Sequence, residues 1–131
     1  MKLSICQELT CNFLEAGIEM NLKEIIARLN LEVADNSIPL DKEIKHAYCS
    51  DMLSEVVCNA KGECIWITSQ IHHNTVGVAV MKEIAALLIT NNRKPEIETL
   101  KKAKYQHVPI LLTGSSSFEI CASLHELGIR G

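Results

Sequence analysis

From Leu31 onward, short apolar runs rich in β-branched and aromatic residues alternate with segments whose apolar residues recur at helical spacing. Strands separated by helices cannot pair as tight hairpins. They run parallel instead, and the intervening helices cover the faces of the sheet. The strand runs are "LEVA", "IKHAYC", "ECIWIT", "ALLIT" and "VPILLT". Between and after them the spacing predicts helices over "SDMLSEVVCNA", with Ser50 or Asp51 as N-cap, and "PEIETLKKAKYQH", with Pro95 in its first turn. A last helix, "SSSFEICASLHELG", is capped by serine and ended by Gly128. "NTVGVAVMKEI" fits two periods. Val76, Val78 and Val80 alternate as in a strand, whereas Met81, Ile84, Ala85 and Leu88 continue an apolar face at helical spacing. A buried helix capped by Asn74 is preferred. The expectation is an α/β fold, a single-domain sandwich with a largely parallel sheet.

Upstream, residues 3–17 show helical spacing (Leu3, Cys6, Leu9, Phe13, Leu14) and stop at Gly17. "MNLKEIIARLN" then starts again, with Asn21 as N-cap and Leu22, Ile25, Ile26 and Leu29 on one face. Residues 1–19 are therefore expected to be an N-terminal helical extension, and residues 20–131 the compact α/β domain. The 131-residue length suits one domain.

Charge and composition narrow the function. With 13 Lys+Arg against 16 Asp+Glu the formal charge is −3, which argues against a dedicated nucleic-acid binder. No apolar stretch is long enough to span a bilayer, and the N-terminus lacks a signal peptide's apolar region. The expectation is a cytoplasmic protein that binds neither nucleic acid nor membrane. Six cysteines raise a metal or disulfide reading, but no CxxC occurs. Cys6 and Cys11, five apart on a helix, point roughly 140° away from each other. Cys49 and Cys64 fall at apolar strand runs, where cysteine behaves as a small hydrophobe. Structural packing is preferred over zinc, an iron–sulfur cluster or a disulfide framework.

Right-handed crossovers put the turns after the parallel strands at one edge of the sheet, where ligands of open α/β sheets bind. Four turns meet there: Ser50–Asp51, Thr68 to Asn74, Thr90 to Lys94, and Thr113 to Ser117. The second, "TSQIHHNT", is the most polar. His72 and His73 are adjacent, so on extended backbone they point apart, and neither belongs to a metal-ligand spacing. "TGSSSF" lacks the GxSxG elbow of a nucleophile and the Lys-Ser/Thr ending of a P-loop. No catalytic residue and no metal ligand is assigned. Helix N-termini at this edge can still accept an anion, with Arg93 as countercharge or as a solvated loop arginine. For the polar loop two readings stand level. It is a capped turn, or alternate residues Gln70, His72 and Asn74 face a ligand as neutral hydrogen-bonding groups.

In this order, "NLKEIIARLNLEV", "SDMLSEV", "IWITSQIHHNTVGVAV" and "ITNNRKPEIETLKKAKYQHVPILLT" resemble the DRTGG domain family, related to the N-terminal domain of HPr kinase/phosphorylase. The resemblance covers about residues 20–128 and is similar in particular to stand-alone DRTGG proteins, some labelled serine kinases or hydrogenase-system regulators. The five-letter string that gives the family its name is absent. Ser50 stands where the family has glycine before Asp51, and Asn91 and Asn92 replace glycines near "ITNNR". The resemblance implies a fold akin to the N-terminal domains of HPr kinase and the Mur ligases, and a regulatory or ligand-sensing role. It also implies functional positions at Asp51, Ser54, Thr68, Gln70, His72, Asn74 and Arg93. The kinase label does not carry over, because no P-loop is encoded.

The sequence thus leads to a non-enzymatic regulatory or sensor module. Its small anionic or nucleotide-like ligand is expected at Asp51, Ser54, Thr68, Gln70, His72, Asn74, Arg93 and Thr113, without a cofactor. The alternative is a protein-interaction or assembly accessory for redox (hydrogenase-type) or other metabolic enzymes. A homodimer is expected in either case.

Overall fold

The computed structural model describes residues 20–131, so the helix expected over residues 3–17 and the 1–19 extension lie outside the described residues. In chain order the elements are β1 (Met20–Asn21), α1 (Leu22–Leu29), β2 (Glu32–Val33), β3 (Glu43–Ile44), β4 (His46–Cys49) and α2 (Leu53–Asn59). They continue with β5 (Cys64–Thr68), α3 (Asn74–Met81), β6 (Ala86–Ile89), α4 (Ile97–Gln106), β7 (Ile110–Leu112) and α5 (Ser117–Glu126). The main sheet has the order β2-β7-β6-β5-β4. β4 to β7 run parallel, in a register that pairs Ala47 with Ile65, Ile65 with Ala86 and Leu88 with Leu111. β2 lies antiparallel on β7, as an edge strand.

Both faces of the sheet are covered, as parallel strands require. Side chains alternate between the faces. Ile65, Ile67, Leu88 and Leu111 pack with Leu22, Ile25, Ile120 and Leu124 of α1 and α5. Trp66, Leu87, Ile89 and Ile110 pack on the other side with Val56, Val76, Ala79 and Ala103 of α2, α3 and α4. Burying each such side chain contributes about 1.5–3 kcal/mol. That outweighs weak local propensity. α1 has only eight residues, too few to persist alone, and is held by the burial of Leu22 and Ile25.

The segment that fitted two periods is a helix, α3. Its valines and Gly77 are poor helix formers. Packing decides the matter, because Val76, Val78 and Ala79 are all buried. The helix ends at Met81, and the chain reverses through Glu83 in the left-handed region (φ 54°). Ile84, Ala85 and Leu88 therefore leave the helical face predicted for them and enter β6 or its approach.

Other differences are local. "IKHAYC" is divided: Ile44 belongs to β3, which pairs with β1 as a separate antiparallel ribbon, and β4 begins at His46. Asn21 caps α1 as predicted, accepting from the Lys23 N–H at 2.8 Å. Ser116 caps α5 by accepting from the Glu119 N–H, and Gly128 follows that helix at φ 97°. The cap positions of α2, α3 and α4 are instead Met52, His73 and Glu96, so Asp51, Asn74 and Pro95 do not hold the places predicted for them. Pro95 stands one residue before its cap, and Asn74 is the first residue within its helix. Ser50 does serve the start of α2, its Oγ accepting from the Met52 N–H at 3.1 Å. Among the described residues no helix is long and apolar enough to cross a membrane.

Candidate functional site at the carboxyl edge of the sheet

The loops after β4, β5, β6 and β7 meet at one edge and are hydrogen-bonded to one another. Asp51, released from capping α2, reaches across to the end of β5. Its Oδ1 accepts from Thr68 Oγ1 at 2.8 Å and from the Ser69 N–H at 2.7 Å, and its Oδ2 accepts from Ser69 Oγ at 2.8 Å. Gln70 Nε2 donates to the Asp51 carbonyl at 3.1 Å. Arg93, after β6, returns to the same loop and donates through NH1 to the Ser69 carbonyl at 2.6 Å. Partial burial pushes the Asp51 carboxyl up. The hydrogen bonds from Ser69 and Thr68, with the charge of Arg93, outweigh that and hold it below the ordinary carboxylate value.

The third and fourth loops are tied in the same way. Asn91 and Asn92 both occupy the left-handed region (φ 62° and 58°), the conformation that asparagine tolerates better than other non-glycine residues. Their N–H groups donate to the carbonyls of Ser115 and Thr113, at 2.9 and 3.0 Å. Thr90 Oγ1 lies 3.0 Å from Ser117 Oγ at the start of α5. Thr113 Oγ1 accepts from the Ser115 N–H. The buried polar side chains of the described residues are Thr68, Thr75, Thr90 and Thr99, all on this side of the molecule, and each is hydrogen-bonded. Asp51, Asn91, Asn92 and Arg93 on the same loops are exposed.

The expected series Thr68, Gln70, His72, Asn74 divides. Thr68 and Gln70 turn to Asp51. His72 does not join them, because the backbone leaves the extended form before it. Its Nδ1 accepts from the Asn74 N–H at 3.2 Å, so the ring serves the start of α3 instead of the cluster around Asp51. The expectation that His72 and His73 point apart is corrected for the same reason. His73 is helical (φ −61°, ψ −18°), and the two rings lie 4.1 Å apart, centre to centre. Among the described residues no group of three or more His, Cys, Asp or Glu is placed to hold a metal ion. Asn74 and Ser54 are exposed on the first turns of α3 and α2.

Ser69 is the residue that sequence reasoning missed. It gives two donors to Asp51 and a carbonyl to Arg93. Assigning alternate residues to one side placed it away from Thr68 and Gln70, but the strand ends at Thr68, so the next residue is free to turn in. Arg93 makes a single side-chain hydrogen bond among the described residues, which leaves most of its donors facing solvent. A separate cleft of about 590 Å³ opens at the opposite, amino edge, between Lys42, Lys45, Glu63, Ile84 and Val108. Its Lys45–Glu63 ion pair, at 3.0 Å, already satisfies part of its charge.

No family model matches the chain, and no curated protein matches it. Among solved structures it is similar to the CBS and DRTGG domains of the regulatory region of Clostridium perfringens pyrophosphatase, a structure complexed with the activator diadenosine tetraphosphate. The TM-score is 0.63 and the identity 17%, over 78% of this chain and 44% of that one. This chain spans less than half the length of that regulatory region. The likeness shows a shared α/β architecture.

Proposed function

We propose that the chain is a non-enzymatic regulatory module that binds a small anionic, nucleotide-like ligand at the carboxyl edge of its sheet. One observation carries the reading: three loops are linked through Asp51, Ser69 and Arg93, and the fourth is joined to them by the Asn91 and Asn92 N–H groups, in a single polar surface at the edge where α/β folds take ligands. A site whose groups are held before the ligand arrives loses less freedom on binding. Arg93 supplies unused donors for a phosphate or carboxylate. Asp51 Oδ2 receives one donor and has room for another, such as a ribose hydroxyl or a base amine. The fold shared with a regulatory region crystallised with a dinucleoside polyphosphate supports the nucleotide class.

Calorimetric titration against nucleoside mono-, di- and triphosphates, dinucleoside polyphosphates and phosphorylated sugars tests this. One class is expected to bind, and Arg93→Ala to weaken it about tenfold or more, the value of one charge-assisted contact. No binder in the panel, or a binder indifferent to Arg93→Ala combined with His72→Ala, would sink the proposal.

A second reading has its own support. Met52, Ile97 and Phe118 stand at or beside the starts of α2, α4 and α5, and are 62%, 70% and 82% exposed. Three large apolar side chains around a polar centre are what a partner-binding face presents. On this reading the edge docks a second copy of the chain or a metabolic enzyme that it regulates.

A further inference from the structure

Cys49 closes β4, and Cys121 lies within α5, the helix that packs over that side of the sheet. The two cysteines line one pocket of about 160 Å³ with Ala47, Leu124 and His125, where α5 packs on β4. Cys58 and Cys64 have no such neighbour among the described residues. Cys58 is exposed on α2, and Cys64 is sealed in β5, where burial pushes its thiol up to about 11. Spacing along the chain gave no hint of the Cys49–Cys121 pair, because 71 intervening residues separate two groups that only the packing of α5 on β4 brings together.

We propose that Cys49 and Cys121 form a redox-modification site, a reversible disulfide that locks α5 to the end of β4, two residues before Asp51. The oxidant class is a small-molecule disulfide. The Cys49 thiolate attacks one sulfur of the reagent, forming a mixed disulfide and releasing one thiolate. Cys121 then attacks the Cys49 sulfur and expels the second. The two protons of the cysteines end on the two released thiols, so one disulfide is made and one broken. The pocket beside the pair leaves space for the sulfurs to close. Burial first, and then the hydrogen bond and charge of Cys121, push the Cys49 thiol up to about 12. The thiolate is the attacking species, so exchange is slow near neutrality and accelerates about tenfold per pH unit in mild alkali.

The full chain incubated with oxidised glutathione, quenched with iodoacetamide and digested without reduction gives the test. A peptide pair linking Cys49 to Cys121 is expected. It should form faster as pH rises, revert with excess reduced glutathione, and form equally well in Cys58→Ser. The proposal is overturned by any of three results: independent glutathionylation of the two cysteines with no linked peptide, linkage of either to another cysteine, or linkage only after denaturation. The decisive map is that of the unmodified sequence, so a misfolded variant does not obscure it.

Discussion

Asp51 shows how one side chain can be released from its expected local task for a tertiary one. Its position before an apolar helical run suits a cap, yet the stronger option was a carboxylate receiving three donors from Thr68 and Ser69. Both roles are charge-assisted, but a cap offers the carboxylate one or two backbone donors, whereas here it receives three, two of them hydroxyls. Asp51→Ala is expected to destabilise the fold by about 1–2 kcal/mol, since it strips acceptors from a buried hydroxyl and a loop N–H while solvent compensates in part. The pH dependence follows from the direction of the shift. The folded-state value lies below the unfolded one, so the contribution is complete above about pH 4 and is lost as pH falls through the folded value. Urea denaturation of wild type and Asp51→Ala should differ at neutral pH and converge in acid. Equal midpoints at neutral pH would show that the clamp adds nothing.

At the scale of elements, β5 organises the molecule. All five of its residues are buried, and its single tryptophan joins the sheet to the site: Trp66 is fully enclosed, and its Nε1 donates to the Ser50 carbonyl at 2.8 Å. Trp66→Phe removes both volume and that bond, and is expected to cost about 2–4 kcal/mol by circular-dichroism urea titration. A loss under about 1 kcal/mol would mean that the core closes over the gap. The existence of β5, β6 and β7 was legible because fully buried parallel strands read as unbroken apolar runs. So were α4 and α5, with their polar faces. The short ribbon of β1 and β3 was not legible. Two-residue strands carry no period, and their pairing joins residues more than twenty positions apart.

For the whole molecule the two readings of the carboxyl edge differ in assembly. If the exposed Met52, Ile97 and Phe118 seat a second copy, multi-angle light scattering should give twice the chain mass, and Ile97→Ser with Phe118→Ser should return a monomer. A monomer in the unmodified protein at high concentration would remove the homodimer. The sequence alone determined the architecture and the edge at which the polar loops meet, because strand–helix alternation and crossover handedness are local rules with one global solution. It placed Arg93, Thr113 and the asparagine turn among loops that do meet. Only the tertiary structure decided which polar groups are spent on one another. Asp51 turned to Ser69, His72 turned back on its own helix, and Cys49 came to share a pocket with Cys121. Those choices depend on distances between segments remote in the chain, and a hydrogen bond or thiol contact is won or lost within an ångström, well below what residue spacing encodes.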